Sequence, residues 1–164
     1  MVIKMNYKER LKELREYHNL SQYDMAKLLN IKRSSYNQFE QQYDIIPIKR
    51  LNEVSNIFNC SIDYILGLTN KKKYMNSKKE INEELSQERL KTFRKERKIT
   101  QAKLADILNT SQSAIVGFER GRNIIATPFL YTICQKYNLS ADYLLGKIDE
   151  PQELSWGFNI SKNT

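Results

Sequence analysis

Apolar side chains recur along most of this chain at intervals of three and four residues, the spacing of one face of an α-helix. The pattern is clearest in residues 99–121, where Leu104 and Leu108 mark a first short helix and Ile115 and Phe118 mark a second. No segment shows the alternation of apolar and polar residues that predicts a β-strand. The pattern therefore predicts an all-α fold with two short helices and a tight turn in this stretch.

Residues that favour helix ends define this pair of helices more closely. Thr100 and Ser111 are preferred N-cap residues and stand just before the two apolar patterns. Asn109 tolerates the left-handed conformation that often ends a helix, and Gly121 stops the second helix. Together with the small Ala105, which permits close approach, these residues predict a helix-turn-helix whose second helix suits the major groove of DNA.

The pattern occurs twice in the chain. Residues 10–67 align with residues 89–146 at a constant offset of 79 and without a gap, and about twenty of the 58 aligned positions are identical. Such agreement indicates a tandem of two similar domains. The expected boundaries are a first domain at 1–69, a basic linker at 70–85, a second domain at 86–149 and a C-terminal tail at 150–164.

Five helices are predicted in each repeat. N-cap residues and apolar spacing set the expected bounds in the first repeat at 7–17, 22–29, from 32 or 33 to 41, 48–58 and 62–66. The corresponding bounds in the second repeat are 87–97, 101–108, 112–120, 128–137 and 141–145. The predicted caps in the first repeat are Asn6, Ser21 and Ser61. In the second repeat, Ser86, Thr127 and Ser140 are predicted caps besides Thr100 and Ser111.

The linker and the tail are less clearly patterned. The simplest interpretation of the lysine-rich linker is a flexible connection, and the alternative is an ordered arm that contacts phosphate. Ser77 and Glu80 have the spacing of a capping box, which leaves open an added helical turn over 78–85. The tail carries Trp156 and Phe158, and three alternatives stay open for it: folding back on a domain, binding a second subunit, or fraying.

Positive charge is concentrated in the second repeat. The whole chain has a formal net charge of +8, of which residues 89–149 carry +6 and residues 1–70 only +2. An excess of lysine and arginine favours a polyanionic partner such as nucleic acid. The second repeat is therefore expected to make the larger electrostatic contribution to binding.

Several function classes are disfavoured by the residues that the sequence lacks. Cys60 and Cys134 are far apart in sequence and are interpreted as buried apolar side chains, and His18 as a capping or surface residue. Because no phosphate loop, metal-ligand spacing or Cys–His arrangement is present, we expect no enzyme activity, no cofactor, no metal and no small-molecule ligand. The charged N-terminus and the absence of long apolar runs predict a cytoplasmic protein without a membrane partner.

Each repeat resembles the Cro/lambda-repressor, or XRE-type, helix-turn-helix DNA-binding domain. The residues that carry the resemblance in the second repeat are Arg94, Thr100, Gln101, Leu104, Ala105, the run 118–121, Pro128 and the run 140–146. The first repeat has corresponding residues, but Gln41 and Gln42 stand where the second repeat has Arg120 and Gly121. The resemblance spans about 120 residues and implies two five-helix lambda-repressor-like domains in tandem.

The resemblance implies a structural salt bridge in each repeat. Arg15 and Glu40 are 25 residues apart, as are their counterparts Arg94 and Glu119. Surface charges elsewhere are exchanged between the repeats, whereas this pair is present in both. An ion pair of this kind is expected to orient the first helix against the end of the third more than to add net stability.

The resemblance also implies which residues contact DNA. It assigns Gln22 and Gln101 to a phosphate and to steadying the first residue of the recognition helix. The outward side chains expected to meet base edges are Lys32, Arg33, Ser34, Asn37 and Gln38 in the first repeat, and Ser111, Gln112, Ser113 and Val116 in the second. Arg120 and Arg122 are expected to contact phosphates. The first repeat is thus expected to supply more of the sequence choice, and the second more of the affinity.

The predicted function is a sequence-specific, double-stranded DNA-binding transcriptional repressor. One chain is expected to place both recognition helices on one asymmetric site, because the two sets of base-contacting residues differ; a homodimer stays open. The alternative is an antitoxin-like or anti-repressor-like module in which one repeat binds a protein partner. The apolar side of Val116 and Gly117 and the aromatic tail motivate that alternative.

Overall fold

The computed structural model of the chain describes residues 5–154. That range contains ten helices and no strand, which confirms the predicted all-α class. The helices of the first repeat are α1 (Lys8–Tyr17), α2 (Gln22–Leu28), α3 (Arg33–Glu40), α4 (Ile48–Phe58) and α5 (Ile62–Ile65). Those of the second are α6 (Glu83–Glu96), α7 (Gln101–Leu108), α8 (Gln112–Glu119), α9 (Thr127–Tyr137) and α10 (Ala141–Leu144).

Five of these helices begin at N-cap residues that the sequence predicts. The side-chain oxygen of each such residue accepts a hydrogen bond from the backbone N–H three residues later, and the residues are Ser21, Ser61, Thr100, Ser111 and Ser140. At its other end, α7 stops at Asn109, whose φ of 52° lies in the left-handed region. Local hydrogen bonds and one left-handed residue therefore produce the turn between α7 and α8.

The N-terminus of α1 is capped from a distant part of the chain, so the predicted Asn6 cap is wrong. Tyr7 occupies the N-cap position and makes no side-chain cap hydrogen bond. Instead, Oε1 of Gln42 accepts hydrogen bonds from the backbone N–H groups of Tyr7 and Lys8 at 2.7 and 2.9 Å. Gln42 lies beyond the end of α3, and its side chain satisfies donors that a helix start leaves free.

α6 begins four residues earlier than predicted, because Asn82 rather than Ser86 is its N-cap. Oδ1 of Asn82 accepts a hydrogen bond from the backbone N–H of Leu85 at 2.9 Å, while Ser86 is buried inside the first turns. Two glutamates open the helix and suit the positive end of its dipole. The predicted capping box of Ser77 and Glu80 does not form, because the chain there is a loop.

The segment between the repeats is ordered, which corrects the prediction of a flexible linker. Tyr74 is 4% exposed, and its hydroxyl donates a hydrogen bond to Asp63 at 2.8 Å. The carbonyl of Lys79 accepts hydrogen bonds from the side chains of Asn52 and Asn56 on α4 at 3.1 and 3.0 Å. The segment therefore runs along the first repeat instead of connecting the two repeats as a loose chain.

Each repeat has an apolar core beneath its helix-turn-helix, in which α2 packs on α3 and α7 packs on α8. Buried core residues include Leu11, Met25, Tyr36, Leu51, Leu90, Leu104, Ile115 and Ile133. Cys60 and Cys134 are buried free thiols, as predicted, and burial raises the pKa of Cys60 to about 12. His18 is the C-cap residue of α1, and its Nδ1 lies 2.8 Å from the carbonyl oxygen of Leu14.

The two repeats pack against each other through equivalent elements. α5 contacts α10, and Asp63 and its counterpart Asp142 are both 0% exposed. Thr127, predicted as the N-cap of α9, is instead its first residue, and Ala126 precedes it as the cap. The reason is a contact between the repeats: the Thr127 hydroxyl donates a hydrogen bond to the carbonyl of Ile46 at 2.6 Å.

Candidate nucleic-acid interface

The base-contacting residues proposed for the first repeat share one face of α3. Lys32, Arg33, Ser34 and Gln38 are exposed, and Asn37 is half-buried. The opposite face of this helix is packed into the core. A cationic guanidinium and two carboxamides on one exposed helix face have the donors and acceptors needed to contact guanine and adenine edges.

The ion pair of the first repeat forms and holds α1 against the end of α3. Arg15 binds Glu40 through two hydrogen bonds, from Nε at 2.8 Å and from Nη2 at 2.9 Å, and its Nη1 donates to the carbonyl of Leu20. Burial alone would raise the pKa of Glu40. The hydrogen bonds from Arg15 and Gln22 outweigh burial and lower that pKa below its ordinary value, so the carboxylate stays charged.

Gln22 contacts the middle and the end of α3, which corrects the expected contact with its first residue. Nε2 of Gln22 lies 3.1 Å from Oδ1 of Asn37 and 3.2 Å from Oε1 of Glu40. In the second repeat, Nε2 of Gln101 donates to Glu119 at 2.8 Å. Both glutamines therefore join α2 or α7 to the ion pair, and Gln22 in addition fixes the orientation of the Asn37 carboxamide.

The second repeat reproduces the ion pair. Arg94 donates to Glu119 from Nε and from Nη2, at 2.5 and 3.0 Å, and from Nη1 to the carbonyl of Ile99 at 2.8 Å. As in the first repeat, burial opposes ionisation of Glu119, and the hydrogen bonds from Arg94 and Gln101 lower its pKa overall. The helix-turn-helix of each repeat is thus oriented by the same set of contacts.

The recognition helix of the second repeat offers fewer polar groups. Ser111, Gln112 and Ser113 are exposed, Val116 is half-buried and Gly117 is buried. The Ser111 hydroxyl is already used, because it caps α8 and lies 3.0 Å from the Ser113 hydroxyl. Gln112 is therefore the main polar side chain that this face presents, and little apolar surface is exposed at Val116.

Cationic side chains surround the start of α7 and the end of α8. A groove of about 440 Å³ lies there, lined by Lys91, Arg94, Thr100, Gln101, Ala102, Gln112, Glu119 and Arg120. Arg120 and Arg122 are both exposed and flank Gly121, which has a φ of 72°. In the first repeat the positions of these two arginines hold Gln41 and Tyr43, so the corresponding surface has less positive charge.

Sequence reasoning missed the residues that join the two repeats. Asp63 and Asp142 belong to the segments that carry the resemblance, and no local pattern marks Lys147, which is 1% exposed and donates hydrogen bonds to Asn52 and Ser55 on α4. The available signal was the identity of Asp63 and Asp142 between the repeats, in a segment where an exposed charge would be free to vary.

Comparisons with known proteins agree with this geometry. A family described as a helix-turn-helix domain matches residues 87–150, and a second, described as helix-turn-helix, matches residues 11–65. Three proteins of Bacillus subtilis (strain 168) are similar to parts of the chain. No solved structure matches it significantly.

The similar proteins are all named HTH-type transcriptional regulators. The uncharacterized regulator YobD is 36% identical over 63 residues, which is 38% of this chain and 56% of that protein. ImmR is 35% identical over 63 residues, 38% of this chain and 50% of that protein. The uncharacterized regulator YqaE is 34% identical over 76 residues, 46% of this chain and 66% of that protein. The chain thus spans between half and two thirds of each relative's length.

Fold and comparisons together define the class of this protein. Both repeats are helix-turn-helix domains, each matched by a helix-turn-helix family, which confirms the resemblance seen in the sequence. Within residues 5–154, no helix has the length and apolar character needed to cross a membrane. Trp156 and Phe158, which motivated a protein-binding alternative, lie outside the described residues.

Proposed function

We propose that this protein is a sequence-specific repressor in which each chain places α3 and α8 on one double-stranded DNA operator. The observation that carries the proposal is the presence of two complete helix-turn-helix units in one chain, each with its ion pair formed and its recognition helix exposed. Such a chain presents two recognition helices without a second copy. Occupation of an operator that overlaps a promoter then blocks transcription.

The first repeat supplies most of the base discrimination. In the proposed complex Arg33 makes a bidentate contact with a guanine, and Asn37 and Gln38 contact adenine, each contact being worth about 1–3 kcal/mol of discrimination. Gln22 supports this role because its hydrogen bond to Asn37 holds that carboxamide in one orientation before DNA arrives. Lys32 and Ser34 lie at the start of the same exposed face, where phosphate or base edges are within reach.

The second repeat supplies more of the affinity that is independent of sequence. Residues 89–149 carry a net charge of +6, and exposed Arg120 and Arg122 lie beside the groove at the start of α7. Phosphate contacts of this kind position a protein on DNA without selecting a sequence. On α8, Gln112 contacts adenine and Val116 packs on a thymine methyl group.

Selection of DNA from a randomised library with the full chain tests this proposal. We expect an imperfect inverted repeat with two unlike halves, because the two recognition faces differ in almost every residue. A perfectly palindromic consensus would overturn the single-chain model and indicate two copies that each use the same repeat. Failure to enrich any sequence, at both low and physiological salt, would contradict specific DNA binding itself.

A further inference from the structure

The two repeats exchange equivalent hydrogen bonds across their contact. Oδ1 of Asp142 accepts the backbone N–H of Ile62 at 3.0 Å, and Oδ1 of Asp63 accepts the backbone N–H of Ala141 at 2.6 Å. Ile62 and Ala141 are themselves counterparts in the repeat, as are Asp63 and Asp142. Each aspartate therefore caps the first turn of the other repeat's short helix, the isologous pattern of a twofold dimer.

Further buried polar contacts fix this arrangement. Nζ of Lys147, on the second repeat, donates to Asn52 and Ser55 on the first, and the Thr127 hydroxyl donates to the carbonyl of Ile46. A slip or rotation of one repeat against the other would leave these buried groups unpaired, which is unfavourable for each polar group and most of all for the charged Lys147. The contact is therefore specific for a single relative orientation.

In each repeat, one packed helix connects this contact to the recognition helix. α1 packs against both α5 and α3, and α6 packs against both α10 and α8. The ion pairs of Arg15 with Glu40 and of Arg94 with Glu119 join the same helices. An orientation fixed between α5 and α10 is thereby passed to α3 and α8 through packed helices on both sides.

We propose that the reciprocal contact of Asp63 and Asp142 holds the two recognition helices at one separation and so determines the half-site spacing that the protein accepts. This inference rests on the proposed function, because it assumes that both helices bind one operator. Each added base pair moves a half-site by about 3.4 Å and turns it by about 34° around the DNA axis. A flexible linker would let the two recognition helices adjust to such a change in spacing, whereas a fixed contact between the repeats does not.

The two aspartates provide a matched pair of isosteric variants. Both carboxylate oxygens of Asp142 accept backbone N–H groups, from Ile62 and Asp63, so Asp142→Asn would point an amide donor at another donor. In Asp63 only Oδ1 accepts a backbone N–H. Its Oδ2 is bound by the hydroxyls of Ser140 and Tyr74, which can accept hydrogen bonds instead, so Asp63→Asn keeps the contact.

The experiment measures affinity for duplexes in which the selected half-sites are moved apart or together by one or two base pairs. For the wild-type chain and Asp63→Asn we expect a loss of roughly 100-fold for one base pair, since one half-site's contacts are forfeited. For Asp142→Asn we expect a loss of roughly tenfold or less, together with weaker binding at the original spacing.

Equal affinity of the wild-type chain for several spacings would overturn the inference, and so would an unchanged spacing profile in folded Asp142→Asn. Far-ultraviolet circular dichroism reports whether the variants fold. If Asp142→Asn does not, Thr127→Val removes one contact between the repeats, and the wild-type series is decisive without any variant. If selection from the randomised library enriches no sequence, the proposed function is contradicted. If it enriches paired half-sites at variable spacing, only the fixed contact between the repeats is contradicted.

Discussion

At the scale of single residues, the position after α3 and its counterpart after α8 have the same backbone and different chemistry. Gln42 has a φ of 57° and Gly121 a φ of 72°, so both repeats need a left-handed residue there. Glycine adopts this conformation freely, whereas a residue with a side chain loses about 1–2 kcal/mol. The Gln42 side chain offsets that loss by capping α1, a contact that no local pattern predicts because the residues are 35 apart.

Two substitutions at Gln42 distinguish the effect of its hydrogen bonds to the start of α1 from the effect of its left-handed backbone conformation. Gln42→Ala removes the acceptor for Tyr7 and Lys8 but keeps the left-handed strain, so we expect a loss of about 1–2 kcal/mol in the free energy of unfolding. Gln42→Gly removes the cap and the strain together, and we expect a smaller loss. Urea unfolding of the two variants measures this order, and a glycine variant less stable than the alanine variant would contradict it.

Phosphate and base contacts differ in their response to salt. For Arg122→Ala we expect a similar loss of affinity on all DNA sequences and a decrease of about one in the slope of log affinity against log salt. The matched variant is Arg33→Ala, for which we expect a loss of about 1–3 kcal/mol of discrimination confined to the selected operator. Titrations at several salt concentrations, on the operator and on unrelated DNA, check both. A loss confined to the operator for Arg122→Ala would contradict the phosphate assignment.

At the scale of helices, the bounds follow from local chemistry where a side chain caps its own helix. The starts at Ser21, Thr100 and Ser111 are predictable because cap and N–H are three residues apart. The caps of α1 and α9 are not predictable in this way, because the hydrogen bonds at these helix starts involve Gln42 and Ile46, which lie elsewhere in the chain. The exposed polar face of α3 could be predicted, but the hydrogen bond from Gln22 to the middle of this helix could not.

Gly117 lowers the stability of α8 without an evident steric need. A Cβ added there would lie 3.6 Å from Nδ2 of Asn123, an ordinary contact distance. We therefore expect Gly117→Ala to raise the free energy of unfolding by about 0.4–1 kcal/mol, through helix propensity and the unfolded state. The matched Gly121→Ala has a left-handed φ and is expected to lower it by about 1 kcal/mol. Thermal unfolding measures both, and a destabilised Gly117→Ala would contradict the expectation.

At the scale of the whole molecule, the contact between repeats is what sequence analysis could not supply. Its hydrogen bonds join residues about 80 positions apart, and they depend on how two finished domains meet. The same contact changes the role of the linker: the second helix-turn-helix is held in place by Asp63, Asp142 and Lys147, rather than kept nearby by a tether. In the proposed complex, binding to DNA requires no ordering of the two domains, which lowers the entropic cost of binding.

The buried aspartates make the stability of this contact depend on pH. Burial raises the pKa of Asp63 well above its ordinary value, and the nearby Asp142 carboxylate raises it further. The unfolded chain titrates near pH 4, so the folded protein keeps a proton that the unfolded chain has lost. The contribution of Asp63 to stability is therefore fully present below about pH 4 and is lost as the pH rises through its raised pKa.

Asp63→Asn removes the contribution of Asp63 to this dependence; Asp142, whose pKa is also raised by burial, keeps its own. We expect the melting temperature of the variant to rise relative to that of the wild type as the pH increases from about 4 to 7, because the asparagine has no proton to lose. Asp149→Asn is the control: Asp149 is exposed and the hydrogen bond from Lys78 lowers its pKa, so its own contribution changes mainly below about pH 4 and this variant should follow the wild type between about pH 4 and 7. Parallel melting curves for the wild type and Asp63→Asn across this range would show that the buried pair does not titrate in the folded state, and that its carboxylates stay charged because the N–H groups of α5 and α10 outweigh burial.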